Sequence, residues 1–91
     1  MKKAVRLTIT GNWQSLFFKQ FIIDNALKNN VFGFLRNLDS GKVEIFLEGQ
    51  DNNVDSMIQV CSQGPKFAQI RSVDQKEERL QDFKDFRVLT F

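Results

Sequence analysis

The chain reads as an α+β sandwich, an antiparallel sheet carrying two helices on one face in βαββαβ order. Three observations predict it. Several runs alternate apolar and polar residues with period two. Two stretches place apolar residues three and four apart. A glycine turn joins two of the alternating runs.

The first run is Val5, Leu7 and Ile9, alternating with Arg6, Thr8 and Thr10, a half-buried strand. After the loop "TGNWQSLFFK", Phe18, Phe21, Ile22 and Ala26, with Ile23 and Leu27, define a helical face that ends at Asn29-Asn30. "VFGFL" from Val31 to Leu35 leads through Arg36-Asn37-Leu38 into the turn Asp39-Ser40-Gly41, where Gly supplies positive φ. Val43, Ile45 and Leu47 form the returning strand of a hairpin, which Gly49 stops. Val54, Met57, Ile58 and Cys61 fall on one face of a second helix. Asp51 or Asn52 is positioned to cap it, and Gly64-Pro65 closes it. Phe67 to Val73 alternates weakly. Lys76 to Lys84 is highly charged and reads as a solvated loop, and Phe86, Val88 and Leu89 make a last strand.

Composition bounds the function. The 91 residues predict one domain over 1–91, without repeats or linkers. Ten Phe and one Trp, with no Tyr, supply a heavy aromatic load for the core. A net charge of +2 from 13 basic and 11 acidic residues gives no strong nucleic-acid footprint. No apolar run approaches the ~20 residues of a membrane span, and the start MKKAVRLTIT has no apolar signal core. With Cys61 the lone cysteine, a cytoplasmic setting is expected. The absence of His removes the Ser–His and Cys–His nucleophile pairs and the imidazole general base. No metal site or cofactor is expected, so any chemistry runs on positioning and electrostatics.

Two motifs carry a resemblance. Gly11-Asn12-Trp13-Gln14-Ser15-Leu16-Phe17-Phe18-Lys19 resembles the loop G-x-V-Q-G-V-x-F-R of the acylphosphatase family, matching at Gly11, Gln14 and Phe18. The family's second motif, G-W-V-[RK]-N-x-x-[DS]-G-x-V-E, is matched at Gly33, Arg36, Asn37, Gly41, Val43 and Glu44. Glu48-Gly49, Gly64-Pro65, the Ala68, Ile70, Val73 spacing and the Phe83, Phe86 pair also agree. The resemblance covers nearly the whole chain. It implies a ferredoxin-like sandwich and hydrolysis of small acyl phosphates. Two residues depart from the pattern. Lys19 stands where the family has its catalytic arginine, and Ser15 where it has the second loop glycine.

The resemblance also implies roles. An acyl phosphate is already an activated anhydride, so the protein has to hold the phosphoryl group, neutralise its charge and place a water in line. The N–H groups from about Trp13 to Lys19 would cradle the phosphate as an anion nest. The loop Gly11, Trp13, Gln14, Ser15, Leu16, Phe17 and Phe18 is thus the expected binding segment, and the N-terminus of the first helix adds its dipole. Lys19 would take the arginine's place on the phosphate, and Asn37 would orient the water. The substrate phosphate itself would accept the proton. Trp13 is expected to pack over the loop, and Ser15 to take a left-handed backbone that Gly would adopt at less cost. Met57 and Cys61 are expected in the core. The expected partner is a small acyl phosphate or inorganic phosphate, with no membrane or nucleic acid, and the chain is expected to be a monomer.

Two rival readings come from a binding class. One is an acylphosphatase-like anion-binding module without turnover. The other is RNA binding, because Phe32, Gly33, Phe34 and Leu35 resemble part of the aromatic motif of the RNA-recognition fold. That motif belongs on the third strand, and here it falls on the second.

Overall fold

A computed structural model describes every residue except Asp39, Ser40, Phe67, Thr90 and Phe91. The order is β1 (Lys2–Asn12), α1 (Ser15–Lys28), β2 (Phe32–Leu38), β3 (Lys42–Gln50), α2 (Asp51–Gln63), β4 (Gln69–Glu78) and β5 (Phe86–Leu89). The strands form one sheet in the order β4-β1-β3-β2-β5. Two helices pack on one face of this sheet, and the expected α+β class holds.

The sheet is not wholly antiparallel. β1 pairs antiparallel with β3 and β4, as β2 does with β3, but β5 lies parallel to β2, with Gly33 opposite Phe86. The charged segment before β5 crosses the open face and returns the chain to the starting end of β2. Gly33 N–H donates to Asp85 C=O at 2.9 Å at that point.

The helix-facing side holds the core. Val5, Leu7 and Ile9 of β1 meet Val43, Ile45 and Leu47 of β3 and Leu35 of β2, beneath Phe18, Ile22 and Ala26 of α1 and Val54, Met57 and Cys61 of α2. Met57 and Cys61 are thus core, as expected. Leu27 is not, being 70% exposed at the end of α1. Burial among apolar groups disfavours the thiolate and pushes the Cys61 thiol up to about 12.

The opposite face is more covered than its charges suggest. Phe34, Phe46 and Phe83 cluster with ring centroids 5.5 to 5.6 Å apart. Glu44 and Glu48 are buried there, and each is paired, as a buried carboxylate requires. Glu44 meets Arg6 at 3.1 Å and Arg36 at 2.8 Å. Glu48 accepts hydrogen bonds from the N–H groups of Gln81 and Phe83, which holds the 79–85 segment against the sheet. The Phe34 ring is therefore packed among Phe46 and Phe83.

Three boundaries differ from the expectation. α1 begins at Ser15 and not near Phe18, because its first turn is not part of the apolar face. β4 continues to Glu78 through residues expected in a loop. As an edge strand it needs pairing on one side only, and Arg6 meets Glu78 at 3.2 Å. The α2 cap is Gln50, without a side-chain bond, and Asp51 is already in the first turn. Gly41 has φ +72, the positive value expected of the turn. Asp39 and Ser40 of that turn, and Phe67 at the expected start of the fourth strand, lie outside the described residues.

Candidate active site

The site is built where β1 hands over to α1. β1 ends at Asn12 and α1 starts at Ser15, so Trp13 and Gln14 make the turn. Gly11 anchors it on both sides. Its N–H donates to Gly41 C=O at 3.1 Å, tying the loop to the β2–β3 turn. The β1–β4 register slips between Thr10 and Gly11, bringing the β4 backbone close. A Cβ at Gly11 would lie 2.1 Å from the Gln69 carbonyl oxygen and 2.9 Å from Trp13 Cζ3. The missing side chain is what lets strand and indole approach. Trp13 then stacks on Phe18, with centroids 4.5 Å apart and planes at 17°.

The start of α1 is open. Gln14 has extended backbone and contributes no side-chain cap. Its carbonyl accepts from Phe18 N–H at 3.0 Å. The N–H groups of the first turn have no intrahelical acceptor. Among the described residues, those of Leu16 and Phe17 find no other partner. The turn holds no acidic residue to offset the positive end of the dipole. This narrows the donors expected of the loop, since the N–H groups of Gly11 and Phe18 are committed within the chain. Ser15 opens α1, so the left-handed backbone expected there is not taken.

Lys19 is the fifth residue of α1, one turn inside the helix. It is partly exposed and, among the described residues, makes no ion pair. Phe18 beside it is buried in the core, while Leu16 and Phe17 are 76% and 66% exposed.

Asn37 reaches the same end by topology. β1 and β2 both pair antiparallel with β3 and so run parallel to one another. Their C-terminal ends therefore share the edge from which α1 departs. Asn37 pairs with Val43, which pairs with Ile9. Residues directly opposite one another share a face, so Asn37 lies on the helix-bearing side, two strands or roughly 10 Å from Ile9. It is exposed. Lys19, Asn37 and the first turn of α1 thus gather at one end of the sheet.

The fold is shared with known proteins. A family model described as Acylphosphatase matches residues 5–88. The chain belongs to the acylphosphatase family. A curated acylphosphatase of Syntrophus aciditrophicus is 38% identical over 90 residues, 98% of this chain and 94% of the relative. The solved acylphosphatase of Bacillus subtilis superposes with a TM-score of 0.89 at 27% identity, covering 99% of this chain and 100% of that one. That of Coxiella burnetii gives 0.89 at 26%, covering 97% and 93%.

Reasoning from the sequence missed one feature beside the site. Trp13, Gln14, Phe17 and Phe21 line a groove of about 640 Å³ with Pro65 and Ala68 from the segment before β4. Its signal was in the sequence. Leu16 and Phe17 stand ahead of the helical face yet are large and apolar, which a solvated first turn does not require.

Proposed function

We propose that this acylphosphatase hydrolyses small acyl phosphates to carboxylate and phosphate with the first turn of α1, Lys19 and Asn37 as its working parts. The phosphoryl group sits against the open N–H groups at the α1 start. Lys19 neutralises its charge, and Asn37 holds the attacking water. The water oxygen bonds to phosphorus as the bond from phosphorus to the carboxyl oxygen breaks. The carboxylate leaves with that electron pair, and the water proton passes to a phosphate oxygen. The observation that supports this reading is an uncapped, acid-free helix start, with Lys19 one turn inside it, at the end of the sheet where β2 carries Asn37. Hydrolysis of benzoyl phosphate, followed alongside backbone amide shifts during phosphate titration, tests it. Turnover is expected, with the largest shifts in residues 13–19 and at Asn37. Shifts centred elsewhere would displace the site.

The replacement of the family's arginine by Lys19 favours a second reading, slow turnover or anion binding alone. Arg grips two phosphate oxygens with a planar fork, whereas Lys is a single point charge on a flexible stem. Losing one preorganised donor costs about 3 kcal/mol, or roughly 10²-fold in rate. Phosphate binding without turnover would mark the binding module. The same reading takes residues 1–91 as one monomeric domain in the cytoplasm acting on a small anion. The lone cysteine, Cys61, is free and buried, which suits a reducing compartment. No helix among the described residues is long and apolar enough to cross a membrane.

A further inference from the structure

We infer that the groove between α1 and the residues Pro65 and Ala68 receives the acyl portion of the substrate and selects bulky apolar acyl groups over small ones, an inference that rests on the acyl-phosphate reading above. Continuity carries it. Phe17 belongs to the open first turn of α1 through its N–H, and its ring lines the groove. Trp13 likewise joins the loop to the groove, and its stacking on Phe18 fixes the shared wall. A phosphate held at the helix start would therefore place its acyl substituent at the groove mouth.

The walls suit an uncharged, flat or branched group. Trp13, Phe17 and Phe21 supply aromatic surface on one side, and Pro65 and Ala68 supply apolar surface on the other. At the rim, Gln20 donates to Asp24 at 2.8 Å, and Lys66, which also lines the groove, has an interaction of its own, so these polar groups are already engaged. Phe17, 66% exposed, leaves apolar surface in water that a bound acyl group would cover. A volume of about 640 Å³ lies within the range of small-ligand sites.

The test compares kcat/KM for benzoyl phosphate and acetyl phosphate, which share the phosphate and differ in the acyl group. Phe21→Ala removes one wall, and Ala68→Phe fills the groove from the other side without truncating a ring that touches the core. Each change is expected to lower the benzoyl-to-acetyl ratio about tenfold, with the inhibition constant of inorganic phosphate held within about twofold. A ratio unchanged in both variants, or equal losses on both substrates, overturns the acyl groove alone. Failure of the parent chain to hydrolyse either substrate overturns the hydrolytic reading and the groove with it.

Discussion

Gly11→Ala is the most direct way to ask whether loop geometry governs the site. The new Cβ would lie 2.1 Å from the Gln69 carbonyl oxygen. An ordinary carbon–oxygen contact begins at about 3.3 Å, so the loop and β4 must part by about an ångström. The loop has little slack, because Gly11 N–H is bound to Gly41 C=O and the Trp13 ring lies 2.9 Å from the same Cβ position. Forcing a methyl into such a contact costs about 1–3 kcal/mol. At ~4–8 °C per kcal/mol for a domain of this size, the melting temperature should fall by roughly 5–20 °C. Activity should fall further than stability explains. An ångström of displacement at a positioning site costs roughly 10²-fold, so kcat/KM for benzoyl phosphate should drop by that order at temperatures where the variant is fully folded. Thermal unfolding by circular dichroism, read beside the hydrolysis assay, separates the two effects. Asn12→Ala, at the exposed end of β1, is the control and should shift stability by less than about 0.5 kcal/mol. If Gly11→Ala melts and turns over like the parent, the close approach does not constrain the loop and the reasoning fails.

Three other outcomes follow from the same geometry. Lys19→Arg should raise kcat/KM about tenfold by restoring a second oxygen contact, and Lys19→Ala should lose most activity and weaken phosphate inhibition; an unchanged Lys19→Ala would make Lys19 a surface lysine. Asn37→Ala should cut kcat roughly 10²-fold while leaving phosphate inhibition near the parent value, and parallel losses would make Asn37 a phosphate ligand or a structural residue. Cys61, the buried thiol pushed up to about 12 from 9.0, should label with a thiol reagent only as the chain opens. Between those pH values the unfolded chain binds fewer protons than the folded one. Stability should therefore be complete below pH ~9 and fall above it by up to about 1.4 kcal/mol per pH unit, readable from denaturant midpoints. Rapid labelling under native conditions, or a midpoint rising through that window, would contradict the burial of Cys61.

Where burial is one-sided, the sequence reveals the structure. Val5, Leu7 and Ile9, and Val54, Met57 and Cys61, show their periods because one face of each element meets the core. β4 escapes that reading past Val73, since its charged half is held by backbone pairing to β1 and by Arg6 on Glu78, neither of which leaves an apolar period. The parallel placement of β5 is also hidden. It depends on Glu48 catching two N–H groups of a segment whose own composition looks solvated. At the site, Lys19 and Asn37 were named through the resemblance, and Gly11 by its place in the motif. The physical reason for Gly11 needs the distance to Gln69, a contact between residues far apart in the chain.

The same limit explains the groove, and it connects fold to specificity. A helix start that must offer open N–H groups to an anion cannot spend its first turn on a side-chain cap or an acidic residue, and α1 has neither. Leu16 and Phe17 fill that turn instead, outside the face that packs on the sheet. On sequence alone they look like a misplaced continuation of the apolar stripe. In the fold the backbone N–H of Phe17 is open at the α1 start, while its side chain lines the groove with Pro65 and Ala68. One residue thus joins an electrostatic requirement to an apolar surface. Charge neutralisation by Lys19 would act on every acyl phosphate alike. Discrimination among them has to arise from surface that the phosphate does not use, and this groove is contiguous with the turn that would hold it.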